Sequence, residues 1–377
     1  MLSVFLKRLL FVIGSILLCI STQVLLFSWG GFFGARSSSL QSWSRNASPP
    51  TSTRPAIQDQ RPPFEKGIIF PRWTQTSYGP GDTQWLQALS DIQVQAGARW
   101  IEMPILFSQA SPTSTQVTVG QSTPTVESVV AGIRAARALG YHVFVTPLIG
   151  VIGPGSWAAN IQFSSYEQEV QWFNSFWQVF RPYIWAAQIA GADQVSIGSE
   201  EVWLEQFAPA SLWNTLIARV RSVFSRIITY DMDWTSLIRP VQAWMNNSNL
   251  SMIGVTEYIP LVDISKRVDP KVMFSLWRDR VKRAIDNFAI HAGKPVVISE
   301  IGYRNTADAL YLTWDTESPT SPPDPIEQAA ACNAALENVM FDSHIAGVFF
   351  WGWDGVGAFK LSGQPAVVVL HEWYTSS

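Results

Sequence analysis

Cysteine and histidine are scarce in this chain. It has two cysteines, Cys19 and Cys332, and four histidines in 377 residues. Cys19 lies inside an apolar N-terminal stretch, so we expect no internal disulfide. The histidines are scattered and form no His-Glu-x-x-His pattern. We therefore expect no catalytic metal and no other cofactor.

An excess of charge of one sign is also absent, because the formal net charge is -3. A nucleic-acid partner is therefore not expected. The first predicted strand is followed by Phe70-Pro-Arg-Trp-Thr74, where a dinucleotide-binding sheet would carry a glycine-rich turn. This absence disfavours a doubly wound open sheet, which is the main alternative to a closed barrel.

Tryptophan is abundant, with 18 residues. Most tryptophans in a globular protein fill the core or pack helices onto a sheet. Sugar-binding sites also stack the apolar faces of pyranose rings on aromatic side chains. The composition therefore modestly favours a carbohydrate ligand.

The N-terminal segment is apolar and uncharged from Leu9 to Gly34, directly after Lys7 and Arg8. It is long enough to cross a bilayer as a helix. A cleaved signal peptide is the alternative, but its apolar region is normally shorter, and no small-x-small cleavage site precedes Ala35. We predict an uncleaved membrane anchor over residues 1–35.

Residues 36–63 are rich in Ser, Pro, Thr, Arg and Gln, a composition that cannot bury a core and indicates a flexible linker. We assign residues 64–377 to one catalytic domain, held outside the cytoplasmic membrane, or secreted if the segment is cleaved. We expect a monomer.

Beyond the linker, short apolar runs alternate with stretches of helical period. This rhythm, repeated eight times, predicts an α/β fold, a (β/α)8 TIM barrel. The eight predicted strands are 67–70, 98–104, 142–147, 194–199, 226–230, 252–256, 295–299 and 346–351.

Two glutamates stand where an apolar run stops. Glu200 follows the fourth predicted strand and Glu300 follows the seventh. In a TIM barrel the carboxyl ends of the strands form the active face, and these two strands lie across the barrel from each other. Two carboxylates that flank one bond are the arrangement of a glycoside hydrolase.

The other predicted strands end in acidic and aromatic residues, with almost no basic ones. An acidic and aromatic cleft suits glycoside cleavage. The candidate substrate-binding residues are Trp73, Trp157, Tyr230, Asp231, Glu257, Tyr303, Trp351 and Trp353.

Five segments of the domain resemble glycoside hydrolase family 113, a clan A barrel group known for β-mannanases. The resemblance extends from about Lys66 to Tyr374, and its motifs are Gly67-Ile-Ile, Gly198-Ser-Glu200, Gly254-Val-Thr-Glu-Tyr258, Ile298-Ser-Glu-Ile-Gly302 and Gly347-Val-Phe-Phe-Trp-Gly-Trp-Asp354.

The resemblance implies a retaining mechanism, with Glu200 as the acid/base, Glu300 as the nucleophile and Tyr258 beside the nucleophile. Trp351 would lie under the sugar. Ser199 departs from the pattern, because many clan A enzymes have Asn before the acid/base. We expect the pKa of Glu200 to be raised and Glu300 to stay ionised by accepting hydrogen bonds.

Several assignments stay open. Glu201 follows Glu200, and strand alternation lets only one of them face inward; Gly198 and Glu200 share one parity, so we favour Glu200. Glu257 is either a third acid in the cleft or an outward-facing residue. Asp233 is either a sugar ligand or a helix cap, and we favour the cap.

Three functions are compatible with these residues. The first is a membrane-tethered retaining glycosidase that acts on a β-linked polysaccharide or oligosaccharide, with β-mannan as the family's substrate. The second is a tethered barrel that binds glycan without cleaving it. The third is a transglycosylase that uses the same glutamates.

Overall fold

The protein was analysed as a computed structural model, which describes residues 63–153, 157–315, 321–354 and 357–376. A closed parallel barrel of eight strands fills this part of the chain. The closure is made by β1, Glu65–Ile69, which pairs in parallel with a strand on each side, β2, Trp100–Gln109, and β9, Ile345–Trp351. The predicted TIM-type barrel is therefore confirmed.

The strands follow one another around the barrel in chain order, apart from one short addition. The added strand pairs antiparallel with β2 and lies outside the parallel ring. The remaining strands are β3, the addition, Val117–Thr118; β4, His142–Val151; β5, Gln194–Ser199; β6, Ile227–Asp233; β7, Ile253–Glu257; and β8, Val296–Ile301.

The helices lie between the strands, and several begin at a side chain that accepts a hydrogen bond from a free backbone N–H group. Asp82, Thr125 and Ser165 cap the first three in this way. The helices are α1, Thr83–Ala96; α2, Val126–Ala138; α3, Tyr166–Ala190; α4, Val202–Phe207; α5, Ala210–Arg221; α6, Pro270–Trp277; α7, Arg283–Ala292; α8, Pro325–Val339; and α9, Ala366–Thr375.

Two separate apolar cores result from this arrangement. The larger lies between the barrel and the helices, and the smaller fills the barrel interior around Trp100, Phe144 and Phe349. Gly67 makes room for the Phe349 ring, since a Cβ on Gly67 would lie 2.1 Å from its Cδ1 atom. The rest of the barrel interior carries polar side chains. Some of them lie at the carboxyl ends of the strands, which form the barrel rim.

The structure differs from the sequence-based prediction in a few places. β2 and β4 extend to Gln109 and Val151, several residues beyond the predicted ends. They pair with each other along ten residue positions, and this long ladder carries both strands past the barrel rim. Among the described residues, no helix has the length and apolarity needed to span a membrane. The predicted anchor and most of the predicted linker lie outside the described residues.

Candidate active site

Glu200 lies directly after β5, at a backbone turn. The ladder between β5 and β6 is irregular between Ser196 and Ser199, and Glu200 has a φ of 63°. Positive φ is unusual for a residue with a side chain, and such strained residues cluster at functional sites. The Glu200 N–H group donates a hydrogen bond of 2.9 Å to the carbonyl oxygen of Asp231, which holds the turn against β6.

The Glu200 carboxylate accepts two hydrogen bonds from neutral donors. Thr256 Oγ1 lies 2.7 Å from Oε1, and Trp157 Nε1 lies 2.8 Å from Oε2. The side chain stays partly exposed at the rim, whereas Glu201 is 1% exposed. Glu200 therefore presents its carboxyl to the rim, as predicted.

Glu300 lies in β8 and accepts a hydrogen bond of 2.6 Å from the hydroxyl of Tyr258. Burial raises the pKa of Glu300 to about 8, and the charges of Glu200 and Asp231 add to the rise, against the lowering by the Tyr258 hydrogen bond. This direction is opposite to our expectation of a readily ionised Glu300. The reason is that one neutral hydroxyl does not offset burial among other acids.

Thr256 connects the two glutamates. It lies in β7, is paired with Glu300 in the β7–β8 register, and donates its hydroxyl to Glu200. The two carboxyl groups therefore share one end of the barrel, on either side of β7. Thr256 was not among the predicted site residues, because a threonine inside a strand pattern carries no signal of its own.

The eight predicted substrate-binding residues fall into two groups. Trp73 is 37% exposed, and Trp157 and Trp351 are partly exposed at the rim. The other five are at most 3% exposed, so almost no surface of their side chains is available to a sugar: Tyr230, Asp231, Glu257, Tyr303 and Trp353.

The buried members of this set have identifiable partners. The Tyr230 ring packs edge-on against Trp213, at a centroid distance of 5.1 Å. The Tyr303 hydroxyl accepts a hydrogen bond of 2.9 Å from Trp277 Nε1. Glu257 Oε1 accepts one of 2.8 Å from the N–H of Ile259. These contacts hold the buried side chains in place beneath the rim residues.

Asp233 caps the short helix that follows β6. Its Oδ1 atom accepts a hydrogen bond of 2.9 Å from the N–H of Thr235 and a second bond from the Thr235 hydroxyl. The predicted capping role is confirmed.

Two tryptophans outside the candidate substrate-binding set also meet at the rim. Trp234 follows β6 and Trp314 lies in the loop after β8; their rings stack with centroids 5.9 Å apart. In the same loop, the Thr313 hydroxyl donates a hydrogen bond to the carbonyl oxygen of Tyr258. The loop is thereby tied to the residue that contacts Glu300. Its sequence, Leu312-Thr-Trp-Asp315, gave no periodic signal.

Carboxyl groups dominate the electrostatics of the rim. Burial raises the pKa of Asp231 and of Asp233 to about 7, and the charge of Glu200 acts in the same direction on both. Within the described part of the chain, neither residue forms an ion pair with a basic side chain. Burial and like charge therefore favour the protonated form of both aspartates.

A possible metal-ligand group occurs elsewhere, among the described residues, at Asp286, Asp342 and His344. It lies near the start of β9, at the opposite end of that strand from the rim. Lys282 already bonds to both aspartates.

Sequence comparison matches residues 79–361 to Glycoside Hydrolase Family 113. The chain belongs to glycoside hydrolase family 113. It is therefore a glycoside hydrolase with a closed parallel barrel. No curated protein matches the chain.

Solved structures of family 113 members share this fold. One β-1,4-mannanase is 22% identical, with a TM-score of 0.72, and covers 84% of this chain and 100% of its own. The β-mannanase from Alicyclobacillus acidocaldarius is 21% identical, with a TM-score of 0.71, and the match covers 83% and 97%. A family 5 mannosidase from Rhizomucor miehei is more distant, at 12% identity and a TM-score of 0.55, covering 84% and 94%.

Proposed function

We propose that this family 113 protein is a retaining hydrolase of β-linked mannan, with Glu200 as the acid/base and Glu300 as the nucleophile. The observation that carries the proposal is the placement of the two glutamates at one end of the barrel on either side of Thr256. The names of the structural relatives, β-1,4-mannanase and β-mannanase, support mannan as the substrate.

In the proposed first step, Glu300 attacks the anomeric carbon while Glu200 gives its proton to the leaving oxygen. The glycosidic bond breaks, and a covalent glycosyl ester forms on Glu300. In the second step, Glu200 takes a proton from water, the water oxygen attacks the anomeric carbon, and the ester bond to Glu300 breaks. The sugar keeps its anomeric configuration.

The neighbouring donors fit these roles. Trp157 and Thr256 orient the Glu200 carboxyl by donating a hydrogen bond to each of its oxygens. Tyr258 stabilises the charge on Glu300 before attack. Trp73 and Trp351 offer partly exposed rings on which a sugar can stack.

We also propose that the enzyme acts outside the cell, held to the membrane by residues 1–35. The support is the uncharged apolar run from Leu9 to Gly34 and the Ser/Pro-rich composition that follows it. A β-linked polysaccharide is too large to enter a cell intact, so an external enzyme would have access to it.

The test is hydrolysis of β-mannan, glucomannan, xylan and β-glucan oligosaccharides by the purified full-length protein in detergent. We expect cleavage of mannan linkages, β-anomeric products by proton NMR in the first minutes, and at least about 1000-fold loss in Glu200→Ala and Glu300→Ala. Initial α-anomeric products would contradict retention. Sugar binding without cleavage, shared by both variants, would identify a glycan-binding barrel, and longer products would identify a transglycosylase.

A further inference from the structure

Asp231 lies beneath the two proposed catalytic glutamates. It is in β6, paired with Ser199 of β5, and its carbonyl oxygen accepts the N–H of Glu200. Its side chain is 1% exposed. A sugar in the cleft therefore reaches little of this carboxyl, although the sequence pattern suggested that it binds substrate.

The fold provides a specific space for this carboxyl. Gly254 of β7 faces it, and a Cβ on Gly254 would lie 2.0 Å from Asp231 Oδ1 and 2.8 Å from the hydroxyl of Ser299. Ser299 directly precedes Glu300 in β8. The glycine thus allows the Asp231 carboxyl to lie over β7, next to the strand that carries Glu300.

The hydrogen bonds of the carboxyl are incomplete. Thr229 Oγ1 donates to Oδ1 at 3.3 Å, while Oδ2 accepts no well-formed hydrogen bond among the described residues. The hydroxyls of Ser196 and Ser299 act with Thr229 to lower the pKa of Asp231, but burial outweighs all three. A buried carboxylate without a full set of donors is costly, whereas the protonated form needs fewer donors. The geometry therefore favours a neutral Asp231.

The charged groups around Asp231 act in the same direction. The titratable side chains that interact with it are Glu65 of β1, Glu102 of β2, Glu200 and Glu201 after β5, Tyr230 of β6 and Glu300 of β8. All of them are acids, and no basic side chain is in this set. Like charge on these neighbours acts together with burial to favour the protonated form of Asp231.

We propose that Asp231 is a positioning residue whose buried carboxyl, on β6 between the strand that Glu200 follows and the strands that carry Thr256 and Glu300, raises the pH at which Glu300 becomes a nucleophile. Burial raises the pKa of Asp231 to about 7 and that of Glu300 to about 8. The charge of an ionised Asp231 adds to the rise at Glu300, so it opposes the loss of the Glu300 proton. This inference rests on the proposed roles of Glu200 and Glu300.

The first test compares the parent, Asp231→Asn and Glu205→Gln in the pH profile of kcat/KM on a mannan oligosaccharide. Asparagine keeps the shape of the side chain but carries no charge, so we expect the acid limb to move to lower pH by about 0.5 to 1 unit. Glu205 is a matched control, because it is also 1% exposed with a pKa raised by burial to about 7, and Glu300 is not among the charges acting on it. An acid limb that stays in place or moves to higher pH in Asp231→Asn, or that moves equally in Glu205→Gln, would overturn the proposal.

The second test needs no substrate. The pKa of Asp231 is raised in the folded state, so folding binds a proton, and the stability it contributes is lost as pH rises from about 4 to about 7. Asparagine does not titrate, so Asp231→Asn does not lose stability in this way as pH rises. Its Tm relative to the parent should rise by about 2 °C or more between pH 4.5 and pH 8.

The two tests separate the inference from the proposed function. A Tm difference that is the same at every pH would show that Asp231 is ionised throughout, and would overturn the inference whatever the enzyme cleaves. If the parent cleaves no glycan, the proposed function fails, while a pH-dependent Tm difference still supports a proton on Asp231.

Discussion

Aspartates inside the barrel and aspartates outside it have opposite properties. Asp82, at the start of α1, accepts hydrogen bonds of 2.9 and 2.7 Å from the Arg72 guanidinium and further bonds from the N–H groups of Tyr78 and Trp85. Burial acts to raise its pKa, but these bonds outweigh burial and hold it below the usual value. Asp231 has no such cation, and its pKa is raised to about 7.

The comparison separates two uses of a carboxyl group. Where a guanidinium and backbone N–H groups surround it, the charged form is stabilised and the group contributes to folding. Where a carboxyl is buried among other acids and only hydroxyl groups donate to it, burial and like charge outweigh the hydrogen bonds, and the neutral form is favoured. The rim around Glu200 and Glu300 is of the second kind.

Among the variants that test this comparison, the largest effect is expected when the hydrogen bond to Glu300 is removed. Tyr258→Phe removes the hydroxyl that lies 2.6 Å from Glu300. That hydrogen bond lowers the pKa of Glu300 against the effect of burial, so its loss should move the acid limb of kcat/KM to higher pH. We expect kcat/KM at pH 6 to fall by about 100-fold. If the acid limb of Tyr258→Phe moved to lower pH, which is the direction expected for Asp231→Asn, the assignment of Tyr258 as the hydrogen-bond donor to Glu300 would be contradicted.

An intermediate effect is predicted outside the barrel. Asp82→Ala removes the cap of α1 and the partner of Arg72, and should lower the free energy of unfolding at pH 7 by about 1–2 kcal/mol. Because the pKa of Asp82 is lowered on folding, its contribution is present above the unfolded value near 3.8 and is lost as pH falls through the folded value. The difference from the parent in urea unfolding should therefore shrink below pH 4.

The pH profile of kcat/KM for Asp82→Ala provides a second test of the comparison. The acid limb of its pH profile should coincide with that of the parent, because the Asp82 charge does not contribute to the pKa of Glu300. A displaced limb would show that outer ion pairs control the rim, and the distinction between the two regions would be lost.

The smallest effect is predicted at the solvent-exposed surface. Asp263 pairs with Arg280, but its side chain is 69% exposed. The hydrogen bond from Arg280 lowers the pKa of Asp263, yet solvent screens an exposed pair and limits its contribution to stability. Asp263→Asn should change the free energy of unfolding by no more than about 0.5 kcal/mol in urea titration. A loss above 1.5 kcal/mol would contradict this estimate.

Several features of the site could be predicted from sequence because they depend on local pattern. The apolar runs before Glu200 and Glu300 indicated strands, and a residue at the end of a parallel strand must lie at the barrel rim. Tyr258 beside Glu300 followed from the family resemblance, and the structure contains that contact. The capping role of Asp233 followed from its place between a strand and a helical turn.

Other features depend on contacts between distant segments. Strand alternation suggested that Glu200, not Glu201, faces the cleft, but the structure reaches that result through an irregular ladder and a positive φ. Thr256 and Trp157 bond to Glu200 across 56 and 43 positions of sequence. Trp314 meets Trp234 through a loop with no regular period. No local pattern encodes such pairs.

The sequence by itself determined the barrel and the positions of its two glutamates, because hydrophobic periodicity fixes where strands end and parallel closure brings those ends together. Only the tertiary structure decided the ionisation of these acids. The pKa of a carboxyl depends on burial and on which charges lie within a few ångströms, and for Asp231, Glu300 and their neighbours those charges come from different strands.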